Sequence, residues 1–146
     1  VSGRRTRGVV VTGLLATVVA AALTAACAAL ARTLGVDFEV VEGEPIPVSG
    51  IAFVTGVFSV AGVGIAAALH RWSARPAERF LSVTLSLTAV SLVPPLLSGA
   101  AVSTVVTLVG LHLVAAAVMI PALARRLRGF AATSDEPEPR PLQRQR

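Results

Sequence analysis

The chain has no lysine, a single cysteine, and four long stretches without one charged residue. Each absence excludes something. The lone Cys27 excludes an internal disulfide, a multi-cysteine metal site and a paired-thiol oxidoreductase. With only 14% charged residues and a mean hydropathy of +0.77, the 146 residues do not compose a typical soluble domain. All thirteen basic residues are arginine, beside abundant Ala, Val, Gly and Pro. That bias points to a GC-rich genome of the actinobacterial kind.

What is present is hydrophobic length. The uncharged stretches run over about 8–31, 48–69, 80–97 and 100–124. Each reaches the roughly 18 residues needed to cross a hydrocarbon core of about 30 Å at about 1.5 Å per residue. The expected fold is all-α, a transmembrane up-down-up-down four-helix bundle. Residues 1–7 form an Arg-rich N-terminus, 8–127 the membrane domain, and 128–146 a disordered tail. The tail mixes Pro137, Pro139 and Pro141 with charges of both signs, a composition that serves as a solvated linker better than as a proline-recognition ligand.

Charge sets the orientation. Arg4, Arg5 and Arg7 precede the first stretch; Arg71, Arg75 and Arg79 lie between the second and third; Arg125, Arg126 and Arg128 follow the fourth. The opposite loop has Arg32 against Asp37, Glu39, Glu42 and Glu44. Arginine collects on the cytoplasmic side, so a multi-pass plasma-membrane protein with both termini cytoplasmic is expected. Arginines at span ends, without interleaved aromatics, contact lipid headgroups, and nucleic acid is not an expected partner. Trp72 and Phe80 read as interfacial anchors.

In the acidic loop, Val36, Phe38 and Val40 alternate with Asp37 and Glu39, as in a short strand. Gly43 to Pro47 then breaks that run and leads into the second span, with Pro47 in its first turn. The loop suits a cap over the bundle mouth; a docking surface or cation site is the alternative, although the four acids lack a Ca²⁺-loop pattern. Cys27 reads as a small buried hydrophobe. The alternative is lipidation at Thr24-Ala25-Ala26-Cys27, but Thr24 stands where an aliphatic residue is usual, so an uncleaved anchor is expected.

Apolar helices in lipid associate through close backbone approach and interhelical hydrogen bonds. Small residues recur at Gly13, Thr17, Ala21, Ala25 and Ala29, at Ala52, Gly56, Gly64 and Ala68 with Gly62 alongside, and at Ser103, Gly110, Ala117 and Ala124. These stripes serve either the bundle or a homo-oligomer. The third stretch is hydroxyl-rich, with Thr84, Thr88 and Ser91 on one face, and Pro94-Pro95 should bend or end its helix by freeing the carbonyls of Val90 and Ser91.

His112 stands near the middle of the fourth stretch. Counting back from the short turn at Gly99 puts it level with Thr88 to Ser91, making His112, Ser91 and Thr88 the candidate polar site. The ring can donate to a carbonyl freed by Pro94 or Pro95, or reach Ser91. Intramembrane ionisable groups often mark transport paths, but no span contains a carboxylate to complete a relay. A Ser91–His112 nucleophile–base pair lacks a visible nucleophile loop or oxyanion site. Metal or haem ligation with His70 fails on depth, the two being separated by about ten residues of helix, or roughly 15 Å. No catalytic residue, metal or cofactor is expected.

The segments Gly43-Glu44-Pro45-Ile46-Pro47-Val48, Ser91-Leu92-Val93-Pro94-Pro95-Leu96 and Leu111 through Pro121 resemble an actinobacterial family of small four-span membrane proteins of unknown function. The resemblance spans about residues 8–127 and implies four helices in a plasma membrane, with no activity attached. The leading expectation is a non-enzymatic integral membrane protein, accessory to a membrane-protein partner or self-associating in the envelope. The alternative is a small transporter or ligand-binding bundle around His112.

Overall fold

A computed structural model describes residues 2–41 and 43–132. Its order is α1 (Ser2–Thr33), β1 (Glu39–Val41), β2 (Glu44–Pro45), α2 (Val48–Trp72), α3 (Pro76–Ser91), α4 (Val93–Leu97) and α5 (Val102–Ala132). Four helical segments, Gly3–Thr33, Val48–Trp72, Pro76–Leu97 and Val102–Gly129, are long and apolar enough to cross a membrane. They suggest a multi-pass membrane protein. The helices outrun the uncharged stretches: α1 takes in Arg4, Arg5 and Arg7, and α5 continues through Arg128. Arginine is a good helix former, so the end of an uncharged stretch does not end a helix. Residues 128–132 are therefore helical rather than tail, and the expected disorder beyond them lies outside the described residues.

Two apolar clusters hold the bundle. The larger joins α1, α2, α3 and α5 through Val9, Ala16 and Ala20, Val63 and Ala66, Phe80, and Met119 to Leu127. Phe80 is only 1% exposed, so it is a core residue and not an interfacial anchor; Trp72, at 78%, does project outward. The smaller cluster closes the other end, where Ala28, Ile51 and Leu111 surround Phe38.

Gly13 brings α1 against its neighbours. A Cβ there would lie 2.5 Å from Val63 Cγ2 and 3.2 Å from Leu123 Cδ2. Thr17 and Thr24 are buried in the same seam, whereas Ala29 and Cys27 are exposed. Cys27 is thus on the outer face of α1, contrary to its reading as a buried hydrophobe. The stripes of α2 and α5 also diverge from expectation: α2 buries Ile51, Ser59, Val63 and Ala66, while Gly56, Gly62, Gly64 and Gly110 have open space where a Cβ would stand.

Local chemistry ends each element. Gly35, at φ 91°, closes α1 in a Schellman arrangement: the Val36 N–H donates to Ala31 O at 3.0 Å and the Gly35 N–H to Arg32 O at 3.0 Å. Pro47 precedes α2 at its N-cap with extended backbone, one residue outside the helix. Pro76 opens α3. The third span is interrupted at Leu92, and α4 restarts with proline in its first turn. Gly99, at φ 72°, turns the chain into α5.

Candidate functional site

The acidic loop folds over one end of the bundle as an antiparallel hairpin, with Glu39 opposite Pro45, Val41 opposite Glu44, and an irregularity between. The expected strand over Val36 to Val40 is displaced to Glu39–Val41, because the left-handed Phe38 breaks the extended run, and Glu44–Pro45 is its return strand rather than simply a break. Phe38 is fully buried with φ 59°, a left-handed conformation uncommon for residues with a Cβ. Its backbone is pinned by the Ile46 N–H, which donates to Phe38 O at 3.1 Å. Arg32 closes the flank, donating to Ile46 O at 2.8 Å with its guanidinium carbon 5.9 Å from the Phe38 ring centroid. The ring therefore plugs the mouth, seated on Ala28, Ile51 and Leu111.

Asp37 ties this plug to α5. The fully buried Thr104 hydroxyl donates to Asp37 Oδ1 at 3.1 Å, and the Glu39 N–H donates to the same oxygen at 3.3 Å. These donors, the Glu39 amide above all and then Thr104, hold the Asp37 carboxyl below its ordinary value against a smaller opposing effect of desolvation. The carboxylate also sits by the first turn of α5, where the helix dipole favours negative charge. Glu39 turns back to accept from the Gly43 N–H. Among the described residues, no three His, Cys, Asp or Glu side chains converge as metal ligands.

The candidate polar residues picked out in the sequence lie on α5 and α3. His112 follows Leu111 on α5 and is half-buried. Its Nδ1 lies 2.9 Å from Leu108 O, one turn back on its own helix. The Ser91 hydroxyl likewise donates to Thr88 O at 2.8 Å. Thr84, Thr88 and Ser91 are all half-buried along α3, which packs against α5. The histidine's described bond is thus neither to Ser91 nor to a carbonyl freed by Pro94 and Pro95. Local geometry explains this: an i−4 carbonyl is always within reach of a helical side chain, whereas a cross-helix bond needs both chains to leave their preferred rotamers.

The cross-helix polar contacts lie elsewhere. Thr24, fully buried, donates to Ala20 O at 2.9 Å and lies 3.3 Å from Thr55 Oγ1 on α2. Thr17 donates to Gly13 O at 2.9 Å, with Met119 sulfur 3.9 Å away on α5. Spacing puts Thr17 on a packing stripe, but Thr24 and Ser59, single hydroxyls in apolar runs, and Thr104, beside Ser103, carry no packing signal of their own.

The opposite end is basic. Arg4, Arg7, Arg71, Arg75, Arg79, Arg125, Arg126 and Arg128 are exposed there and Arg5 is half-buried. Arg126 reaches across to α1, where a Cβ on Gly8 would come within 2.8 Å of its Nη2. Arg75 pairs with Glu78 at 3.6 Å, an exposed contact of little energetic weight.

No curated protein and no solved structure matches the chain significantly. Over residues 4–129, the bundle with its cap, it matches the family of unknown function DUF6069, and the chain belongs to that family.

Proposed function

We propose that this chain is a non-enzymatic, multi-pass protein of a bacterial plasma membrane, of actinobacterial type. In this reading it is an up-down-up-down bundle with both termini cytoplasmic, and it serves as an accessory subunit or a self-associating envelope component. One observation carries the role. The hydroxyls of Thr17, Thr24, Thr84, Ser91 and Thr107 and the His112 ring all bond to carbonyls of their own helices. Polar groups satisfied in this way let a helix cross lipid without gathering into a shared reactive or transport site. The plugged mouth fits the same role. Open space beside Gly56, Gly64 and Gly110 leaves close-approach surfaces for another helix. The orientation is supported by the distribution of arginine, and the up-down course by the pairing of Gly13 with Val63 and of Thr24 with Thr55.

In-membrane crosslinking of the tagged protein, followed by mass spectrometry, tests the role. A stoichiometric foreign membrane protein makes the chain an accessory subunit, and recovery of itself alone makes it self-associating. Solute flux that disappears in His112→Phe at unchanged stability would replace both with a transport role.

A further inference from the structure

The start of α1 and the end of α2 enclose an open pocket of about 770 Å³, lined by Gly3, Thr6, Arg7, Val10, Arg71 and Trp72. We infer that this pocket binds the phosphate headgroup of an anionic membrane phospholipid; the inference rests on the membrane reading above. Gly3, Thr6, Arg7 and Val10 recur at three- and four-residue steps, so they form one face of α1. Arg7 and Arg71 come from different helices and border one opening, each exposed. Guanidinium groups present planar, forked donors that match phosphate oxygens, and they are more weakly hydrated than ammonium groups.

Local electrostatics favours an anion. This end has nine arginines and, among the described residues, one carboxylate, Glu78, already paired with Arg75. The summed potential is strongly positive and concentrates anions at a concave, partly apolar surface. Two features select a lipid over a free anion. Trp72 is 78% exposed at the end of the apolar α2, an amphipathic ring of the kind that settles where headgroup meets acyl chain. Val10 continues the pocket wall toward the apolar part of α1, along the course an acyl chain would take. Gly3 has open space around it, which leaves the entrance wide enough for a headgroup. A basic pocket between membrane helices is a general means of holding such lipids.

The test is native mass spectrometry of the protein released from bilayers of phosphatidylglycerol mixed with phosphatidylcholine. Wild type should retain phosphatidylglycerol in preference. At about fivefold per arginine, Arg7→Gln with Arg71→Gln should weaken retention about twenty-fivefold. Arg125→Gln with Arg128→Gln removes the same charge from the same end but outside the pocket lining, where it acts only through a salt-screened field, and should retain the lipid within about twofold of wild type at physiological salt. The charge-conserving Arg7→Lys with Arg71→Lys keeps the field but loses the forked donors, so it should weaken retention severalfold, less than the glutamine pair, and serves if that pair folds poorly. Unchanged retention in it would overturn the part assigned to the guanidinium groups. Equal loss in the two glutamine pairs, or none in either, overturns the inference. So does inorganic phosphate, titrated alone, binding as tightly as the lipid, which would make the pocket a free-anion site. Release of the protein from membranes by alkaline carbonate without detergent would instead defeat the membrane reading, separately from the lipid result.

Discussion

Phe38 combines full burial with a left-handed backbone, and the two features pull stability in opposite directions. Phe38→Ala removes the ring from the Ala28–Ile51–Leu111 seat and should cost about 3–5 kcal/mol. Phe38→Gly loses the same ring but relieves the Cβ clash, worth about 1–2 kcal/mol. Glycine should therefore be the more stable replacement by about 1 kcal/mol, the reverse of the usual order, as read by thermal unfolding in detergent. Alanine outranking glycine would sink this account of the plug. Next to it, Asp37 ionises more readily in the folded cap than its ordinary value of 3.8. A depressed carboxyl contributes stability above that ordinary value and loses it as pH falls through the folded value. The advantage of wild type over Asp37→Asn should be constant from neutrality down to about pH 4 and shrink below it. A thermal-unfolding series against pH checks this, and a difference independent of pH would remove the charged link. His112→Phe should cost less than about 1 kcal/mol, because Leu108 O can still accept the residue's own backbone N–H. A larger loss of Tm would reveal a cross-helix role. The solitude of His112 in an apolar run was legible in the sequence. Its hydrogen bond was not, because the carbonyl one turn back on the same helix is nearer than any carbonyl freed across the bundle. The pairing of Asp37 with Thr104 joins residues 67 positions apart, and no local pattern encodes it.

At the scale of elements, the same four apolar runs that are visible by composition become the helices, but their buried faces follow a different rule from the one that spacing suggested. A strict four-residue row drifts about 40° around a helix with each step. The row beginning at Gly13 and Thr17 is buried at its start and exposed by Ala29, while the true seam takes a single step of three, from Gly13 to Ala16, before its steps of four through Ala20, Thr24 and Ala28. Glycines on α2 and α5 lie off that seam. This difference yields a paired prediction. Gly13→Ala forces a Cβ into the branched Val63 side chain, so α1 must move away from α2 and α5, at a cost of about 1–3 kcal/mol. Gly64→Ala meets nothing and should be neutral or stabilising by up to about 1 kcal/mol through helix propensity. Thermal unfolding of the two variants in one detergent decides the matter: equal effects would mean that Gly13 does not set the approach of α1. The third span repeats the lesson. Prolines at 94 and 95 announce an interruption, yet the break falls at Leu92, because proline disrupts the turn before it and is itself well suited to starting the next one.

Across the whole molecule, charge and shape are polarised along the bundle. One end presents nine arginines and, among the described residues, a single glutamate; the other presents Arg32 with Asp37, Glu39 and Glu44 in a compact cap. This polarity was legible residue by residue, since loop charge is written directly in the sequence and owes nothing to packing. The cap's shape was not, since it depends on Phe38 finding a seat built by three separate helices. The two ends make the orientation directly measurable. With the native thiol removed by Cys27→Ala, single cysteines at Glu44 and at Arg75 should label oppositely in intact cells. A membrane-impermeant maleimide should modify Glu44→Cys from outside and reach Arg75→Cys only after permeabilisation. Both positions are exposed, so lack of access within the fold does not compete with sidedness as the explanation. Labelling of Arg75→Cys in intact cells would invert the molecule, place the arginines outside, and detach their clustering from the rule that retains basic loops in the cytoplasm. The basic pocket of Arg7 and Arg71 would then face the outer leaflet, and its lipid would have to be drawn from that side. Sidedness therefore decides which leaflet supplies the anionic headgroup as well as which compartment meets the plugged mouth.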